Sequence, residues 1–255
     1  MAGKRVEQTP SAYGFPLLIK DLLEFGVSRA PEQEIVYANK NRLTYLEFAD
    51  RVGRLASGLA SLGVERGDTV AILDWDSHRY LECFFAVPMI GAVLHTVNIR
   101  LSPEQILYTI NHAEDDVILI NSEFLPLLRQ IWDCVDPGKK LVLLNDTGMP
   151  TQTFQTSLFF DAEYEALLSA ADPRRAFPEL DESTRATTFY TTGTTGPPKG
   201  VYFSHRQLVL HTLSARAALA GIGHSCLTMA TSTCPLRPCS MFTPGATRIS
   251  PPCWA

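Results

Sequence analysis

The sequence predicts an α/β fold, a sheet flanked by helices on both faces, and three observations lead there. Short apolar runs of strand length alternate with longer stretches of helical period along residues 1–220, the pattern of βαβ units. Three helical stretches open on a reciprocal cap, at Thr44-Tyr-Leu-Glu47, Ser102-Pro-Glu-Gln105 and Ser204-His-Arg-Gln207. No internal repeat or low-complexity tract interrupts the alternation.

In order along the chain, residues 16–24 carry apolar side chains at helical spacing, and 34–38 read as a short strand. The helix opened by Thr44 runs to Leu62 and stops at Gly63. Residues 69–73 are strand-like, and Ser77 caps a helix through Tyr80, Phe84 and Phe85 that Pro88 and Gly91 disturb. Residues 93–97 form the next strand, followed by the helix that Ser102 caps, with Pro103 at its first position. Residues 117–120, 141–144 and 187–190 complete the strands, with helices at 123–135 and 162–171 between them. The polar stretch 146–157, with Pro150 and four Thr, reads as a surface loop.

Between the strand at 187–190 and the helix start at Ser204 lies a loop whose residues 191–200 hold three Gly, four Thr and one Lys. Gly193 and Gly196 permit backbone conformations closed to other residues. Successive amides can then converge on an anion, and the Lys199 ammonium supplies the opposing charge. The loop is a device for holding phosphates; a Thr/Gly surface turn without ligand is the plainer alternative. It is not a Walker A loop, because Gly196 is followed by Pro197 and Pro198, and Gly200 stands where the magnesium-binding hydroxyl belongs.

The text Tyr190-Thr-Thr-Gly-Thr-Thr-Gly-Pro-Pro-Lys-Gly-Val201, followed by Ser204-His205, resembles the signature of the adenylate-forming (AMP-binding) superfamily. Phe85-Ala-Val-Pro88, Gly91-Ala-Val-Leu-His-Thr96, Asn98, Arg100-Leu-Ser-Pro103 and Asn111-His-Ala-Glu-Asp115 resemble its fatty-acyl-CoA synthetase branch, more than luciferases or peptide-synthetase adenylation domains. The resemblance covers residues from about 12 to 220. It implies a partial N-terminal domain of the adenylate-forming fold. It also implies an acid–thiol ligase reaction in which fatty acid and ATP give acyl-adenylate and pyrophosphate, and coenzyme A then displaces AMP. ATP, Mg2+ and CoA are the cofactors implied. Thr191, Thr192, Gly193, Thr194, Thr195, Gly196 and Lys199 would grip the β- and γ-phosphates, with magnesium bridging them. The family's Gly-Tyr-Gly-x-Thr-Glu segment, its ribose-binding Asp and its C-terminal-domain Lys have no counterpart here, so no catalytic residue and no metal ligand is assigned.

Composition bounds the alternatives. With 45% apolar residues in 255, the chain can bury a substantial core. A net charge of −5 without a basic stripe argues against nucleic acid as a partner. The first residues, Met-Ala-Gly-Lys-Arg, lack the apolar core of a signal peptide, and no run of 18 apolar residues exists, so a soluble cytoplasmic protein without a membrane span is expected. Homo-oligomerisation is left open. Cys83 and Cys134 read as buried free thiols. Cys226, Cys234, Cys239 and Cys253 crowd the end of the chain without a C-x2-C pair, a poor zinc pattern.

Other polar residues tempt a functional reading. Asp74, Asp76 and His78 read as an N-cap and a solvated turn rather than an acid/base or metal set. His95, Asn111 and His112 read as satisfied polar groups at element ends, and Tyr80, Phe84 and Phe85 as core. His205 and Arg206 read equally as phosphate attractors or as solvated residues of a helix start.

Residues 221–255 stand apart. They contain no Asp, Glu or Lys, whereas all 27 acids lie before them, and they hold five Pro and four Cys with no helical or strand period. The domain reading is therefore a partial AMP-binding domain at 1–220 and an irregular tail at 221–255. Shifting the reading frame by one nucleotide across residues 231–246, with permitted codons, yields V-Y-M-P-I-T-P-M-F-H-V-H-A-W-G, and onward Y-P-Y-L-A-T-L-L-G. The resembled family carries such a Pro-Met-Phe-His segment at this distance. The expectation is a frame-shifted, truncated synthetase that is inactive as it stands. The alternatives are a non-catalytic nucleotide-binding or interaction fragment, or a related aryl-CoA ligase or luciferase-like enzyme.

Overall fold

Residues 70–73, 117–121 and 141–144 are buried almost to the last side chain, as strands covered on both faces must be. A computed structural model of the chain describes residues 14–37, 41–145, 158–173, 176–191 and 196–220. Its main sheet joins β3 (Thr69–Leu73), β4 (Val93–Thr96), β5 (Val117–Asn121), β6 (Lys140–Leu144), β7 (Ala162–Glu163), β8 (Arg185–Thr191) and β9 (Lys199–Ser204) in the order β7-β6-β5-β3-β4-β8-β9. Every pairing is parallel except β8 with β9, which is antiparallel. A separate antiparallel pair, β1 (Glu34–Tyr37) and β2 (Asn41–Thr44), precedes the sheet.

Period-two alternation sorts the strand side chains between two cores. Val70, Ile72, Val117, Leu119, Val142 and Leu144 face one, shared with α1 (Ile19–Arg29), α2 (Tyr45–Ser61), α3 (His78–Met89) and α6 (Tyr164–Ala170). Ala71, Leu73, Ile118, Ile120, Leu141 and Leu143 face the other, under α4 (Pro103–His112) and α5 (Leu125–Ile131). On α2, Phe48, Val52, Leu55, Ala56 and Leu59 fall at helical spacing and are all buried. Each large apolar side chain so buried contributes about 1.5–3 kcal/mol.

The caps form as expected. Thr44 Oγ1 accepts from Glu47 N while Glu47 accepts from Thr44 N at 2.7 Å; Ser102 with Gln105 does the same. Ser77 Oγ accepts from Tyr80 N at 3.1 Å. The polypeptide turns at Gly63 and Gly91 with φ of 86° and 84°, and Pro88 is accommodated in the last turn of α3.

Several expectations are corrected. The first helix begins at Ile19 and extends to Arg29. The stretch 123–135 is not one helix but α5 between two 3-10 turns, and 162–171 opens as the two-residue strand β7, paired to β6. The strands β2 and β9 were not anticipated; both are short and run straight into a helix cap, so the cap signal masked them. Cys83 is buried, but Cys134 is exposed, because it lies in a 3-10 turn rather than on a core face. The loop expected at 146–157 and the tail 221–255 lie outside the described residues.

Candidate phosphate-binding site

The parallel strands β3, β4, β5, β6 and β8 present their carboxyl ends at one edge of the sheet, where open α/β sheets bind ligands. The Thr/Gly/Lys loop leaves β8 at that edge. Thr191 ends β8 and Lys199 begins β9, and the two are cross-strand partners. Thr191 Oγ1 reaches the Lys199 carbonyl at 3.5 Å, a weak contact. Both residues are exposed. Gly196 takes φ 95°, with no atom within 4 Å of where a Cβ would stand. The structure thus brings Thr191, Gly196 and Lys199 to one exposed hairpin; Thr192, Gly193, Thr194 and Thr195 lie outside the described residues.

One element of the expected geometry is corrected. The loop does not run from strand to helix but from strand to strand. Ser204 does cap α7 (His205–Ala220), accepting from Gln207 N at 3.3 Å, but the whole of β9 separates that helix start from the loop. The cation is therefore carried on a strand. His205 is not solvated either: it is buried, and its Nδ1 accepts from Ile19 N at 3.3 Å. Burial holds its pKa below the usual histidine range. Arg206 donates to Glu182 at 2.5 Å. These two residues tie α7 to α1 and to the turn at 181–184, and that is where their side chains are spent.

Behind the hairpin lies a polar-aromatic cluster. The Tyr190 ring packs at 5.2 Å from the His95 ring and 5.7 Å, edge-on, from the His112 ring. Its hydroxyl is 2.7 Å from His112 Nδ1. His95 Nδ1 is 2.8 Å from Asp115 Oδ2, and both are fully buried. Burial first, then Asp115 and Tyr108 nearby, push the Tyr190 phenol up to about 12. Burial likewise raises Asp115, against the pull of His95. His112 and Asn111 are satisfied as expected, Asn111 bonding Cys134 O and Asp136 N.

At the same edge, Asp74 is not part of a solvated turn. It is buried and accepts from Asn121 Nδ2 at 2.7 Å, from Trp75 N at 2.8 Å and from Ser77 Oγ. His78 is buried against Tyr37, and Arg79, also buried, donates to Asn145 O at 3.4 Å. The reason for the difference is tertiary: β5 and its Asn121 sit beside the end of β3 and close over it. Among the described residues no group of three His, Cys, Asp or Glu could hold a metal ion, and no helix is long and apolar enough to cross a membrane.

A family model described as AMP-binding enzyme matches residues 23–237. The chain belongs to that family. A long-chain-fatty-acid–CoA ligase of Thermus thermophilus is 41% identical over 220 residues, covering 84% of this chain and 38% of the relative. A medium-chain-fatty-acid–CoA ligase of Ectopseudomonas oleovorans is 36% identical over 202 residues, covering 78% and 36%. The solved structure of the anthranilate CoA ligase AuaEII with anthranoyl-AMP shares the fold at a TM-score of 0.69 and 21% identity, covering 79% of this chain and 37% of that one. This AMP-binding family member thus spans about two fifths of the length of the curated relatives it matches. Its Tyr190 cluster escaped the sequence reading because the partners lie 78 positions apart; the only local signal was Tyr190 opening the loop motif.

Proposed function

We propose that this chain carries the ATP-phosphate-binding part of an acyl-CoA synthetase, the enzyme class that joins a fatty acid to coenzyme A through an acyl-adenylate. The observation that carries the reading is the hairpin. It sets a Thr/Gly-rich loop and one lysine at the carboxyl edge of the sheet, in a family member whose relatives are named as fatty-acid–CoA ligases. In it, Thr191, Thr192, Gly193, Thr194, Thr195 and Gly196 supply amides and hydroxyls to the β- and γ-phosphates. Lys199 supplies the charge, since bringing carboxylate and ATP together is chiefly a problem of charge neutralisation and positioning. Magnesium enters with ATP as substrate.

Direct ATP binding to the 255-residue chain, with and without Lys199→Ala, tests this. Loss of binding by about tenfold or more supports it, on the scale of one charge-assisted contact to phosphate; unchanged binding refutes it.

We also propose that the chain by itself is inactive or nearly so and that its reading frame shifts between about residues 220 and 227. Support comes from residues 221–255, which lack Asp, Glu and Lys altogether, and from the family-like text of the shifted frame. ATP–pyrophosphate exchange with a panel of fatty and aromatic acids decides the first point: robust exchange would overturn it. Sequencing codons 215–255 decides the second, because an alternative frame that does not stay open would make the tail genuine.

A further inference from the structure

The β8–β9 hairpin has a mechanical problem. Its loop is long and glycine-rich, and β9 is the last strand of the sheet among the described residues. Its second residue is Gly200, which contributes no side chain to hold the strand in place. Lys199, next to it, must nevertheless be presented at a fixed position for a phosphate. Further along the hairpin Phe189 stacks on Phe203 and Thr188 bonds the Val201 carbonyl, but at Gly200 itself the structure places a different side chain. Tyr190 is the cross-strand partner of Gly200, and its ring lies across the glycine so closely that a Cβ there would stand 3.3 Å from ring atoms. A buried tyrosine needs a partner for its hydroxyl, and His112, at the end of α4, provides it at 2.7 Å. Beneath the ring, His95 is held by Asp115 at 2.8 Å, both without solvent exposure, so the seat itself is rigid. Tyr108 meets the ring edge-on at 6.4 Å.

We propose that Tyr190, clamped by His112 and seated on the buried His95–Asp115 pair, is a positioning residue for the phosphate loop: it locks the β9 stem, and with it Lys199, to the β8 stem. This rests on the phosphate-loop reading for its purpose, but the clamp itself is testable without nucleotide. The hydroxyl-to-imidazole bond joins the hairpin to α4, an element of the second core, so loosening it should free the hairpin while leaving the parallel strands as they were.

The experiment is hydrogen–deuterium exchange on the full 255-residue chain, comparing the segment 185–204 with β3, β5 and β6. Tyr190→Phe keeps the ring volume and removes only the bond. It should speed exchange in 185–204 by about fivefold, the effect of one ordinary hydrogen bond on a local opening equilibrium, and leave the central strands unchanged. His112→Ala should do the same. His112→Asn, whose amide sets a hydrogen-bonding atom near the position of Nδ1, should restore slow exchange. Unchanged exchange in 185–204, or equal acceleration throughout the sheet, would overturn the clamp.

ATP binding to the same variants separates the two claims. Lys199→Ala should lose binding with exchange unaltered, whereas Tyr190→Phe should weaken binding in step with faster exchange. If Lys199→Ala binds ATP like the wild type, the phosphate reading fails and the exchange data still decide the clamp. If Lys199→Ala loses binding and Tyr190→Phe loosens the hairpin without weakening binding, the positioning role fails alone.

Discussion

His78 illustrates how far a residue's chemistry can depart from its local sequence. Set among Asp74, Trp75, Asp76 and Ser77, it looks like part of a polar turn, yet it is buried against Tyr37, and its Nδ1 has no hydrogen-bond partner among the described residues. Burial, then the Arg79 and Arg51 charges, lower its pKa from 6.5 to about 4. A depressed pKa means that the folded state resists the proton that the unfolded chain accepts. Its contribution is therefore present above pH 6.5 and is lost as the pH falls towards 4. Asp74, Glu82 and Asp115, all raised by burial, act in the opposite sense over acid pH, so the check is comparative. Urea unfolding should show the wild type losing more stability than His78→Phe between pH 6.5 and 4; parallel curves would remove His78 from the account. The site residues divide the same way. The Thr/Gly/Lys text is legible because its chemistry lies within ten consecutive residues, whereas the Tyr190–His112 contact requires α4 and β8 to be packed side by side.

At the scale of elements, α2 joins a signal that the sequence shows to one that it hides. Its cap is local, and Thr44→Ala should lower stability by about 1 kcal/mol in urea unfolding. Gly53 is the hidden part. In an isolated helix, alanine would be the better residue by up to about 1 kcal/mol. Here a Cβ at Gly53 would stand 2.5 Å from the Pro173 carbonyl oxygen, a backbone atom that cannot swing aside, and such overpacking costs about 1–3 kcal/mol. The contact outweighs the propensity, so Gly53→Ala should move the urea midpoint down; a rise would show that the 171–173 segment yields easily. The unforeseen strand β9 follows the same logic. Val201-Tyr-Phe203 is too short to outvote the neighbouring Ser204 cap, and only pairing with β8 makes it a strand.

For the whole molecule, the exposed apolar side chains are informative. Tyr202 on β9 and Leu210 and Leu213 on α7 are 56%, 41% and 50% exposed, at the end of the sheet where β9 has one described neighbour. An apolar strand at a sheet edge is a template for association. Light scattering of the purified chain should show concentration-dependent self-association, and Tyr202→Lys should reduce it; a monodisperse monomer at high concentration would count against this. The salt-bridge network among the helices of the first core is of a different kind. Arg51 bonds Glu82 at 2.6 Å and Glu165 at 2.9 Å, with Glu82 fully buried and also receiving the Tyr164 hydroxyl at 2.6 Å. It joins α2, α3 and α6 across 114 positions of sequence.

The sequence by itself determined the alternation of strand and helix, the helix caps, the Thr/Gly/Lys loop and the resemblance that it carries. Each of these is written within four to a dozen neighbouring residues, where backbone sterics, capping hydrogen bonds and hydrophobic period act directly. Only the tertiary structure decided the strand order, the hairpin that puts Lys199 on β9, the burial of Asp74, His78 and His205, and the meeting of Tyr190 with His112. Those depend on which distant surfaces pack together, and packing energy is shared by residues that no local window contains.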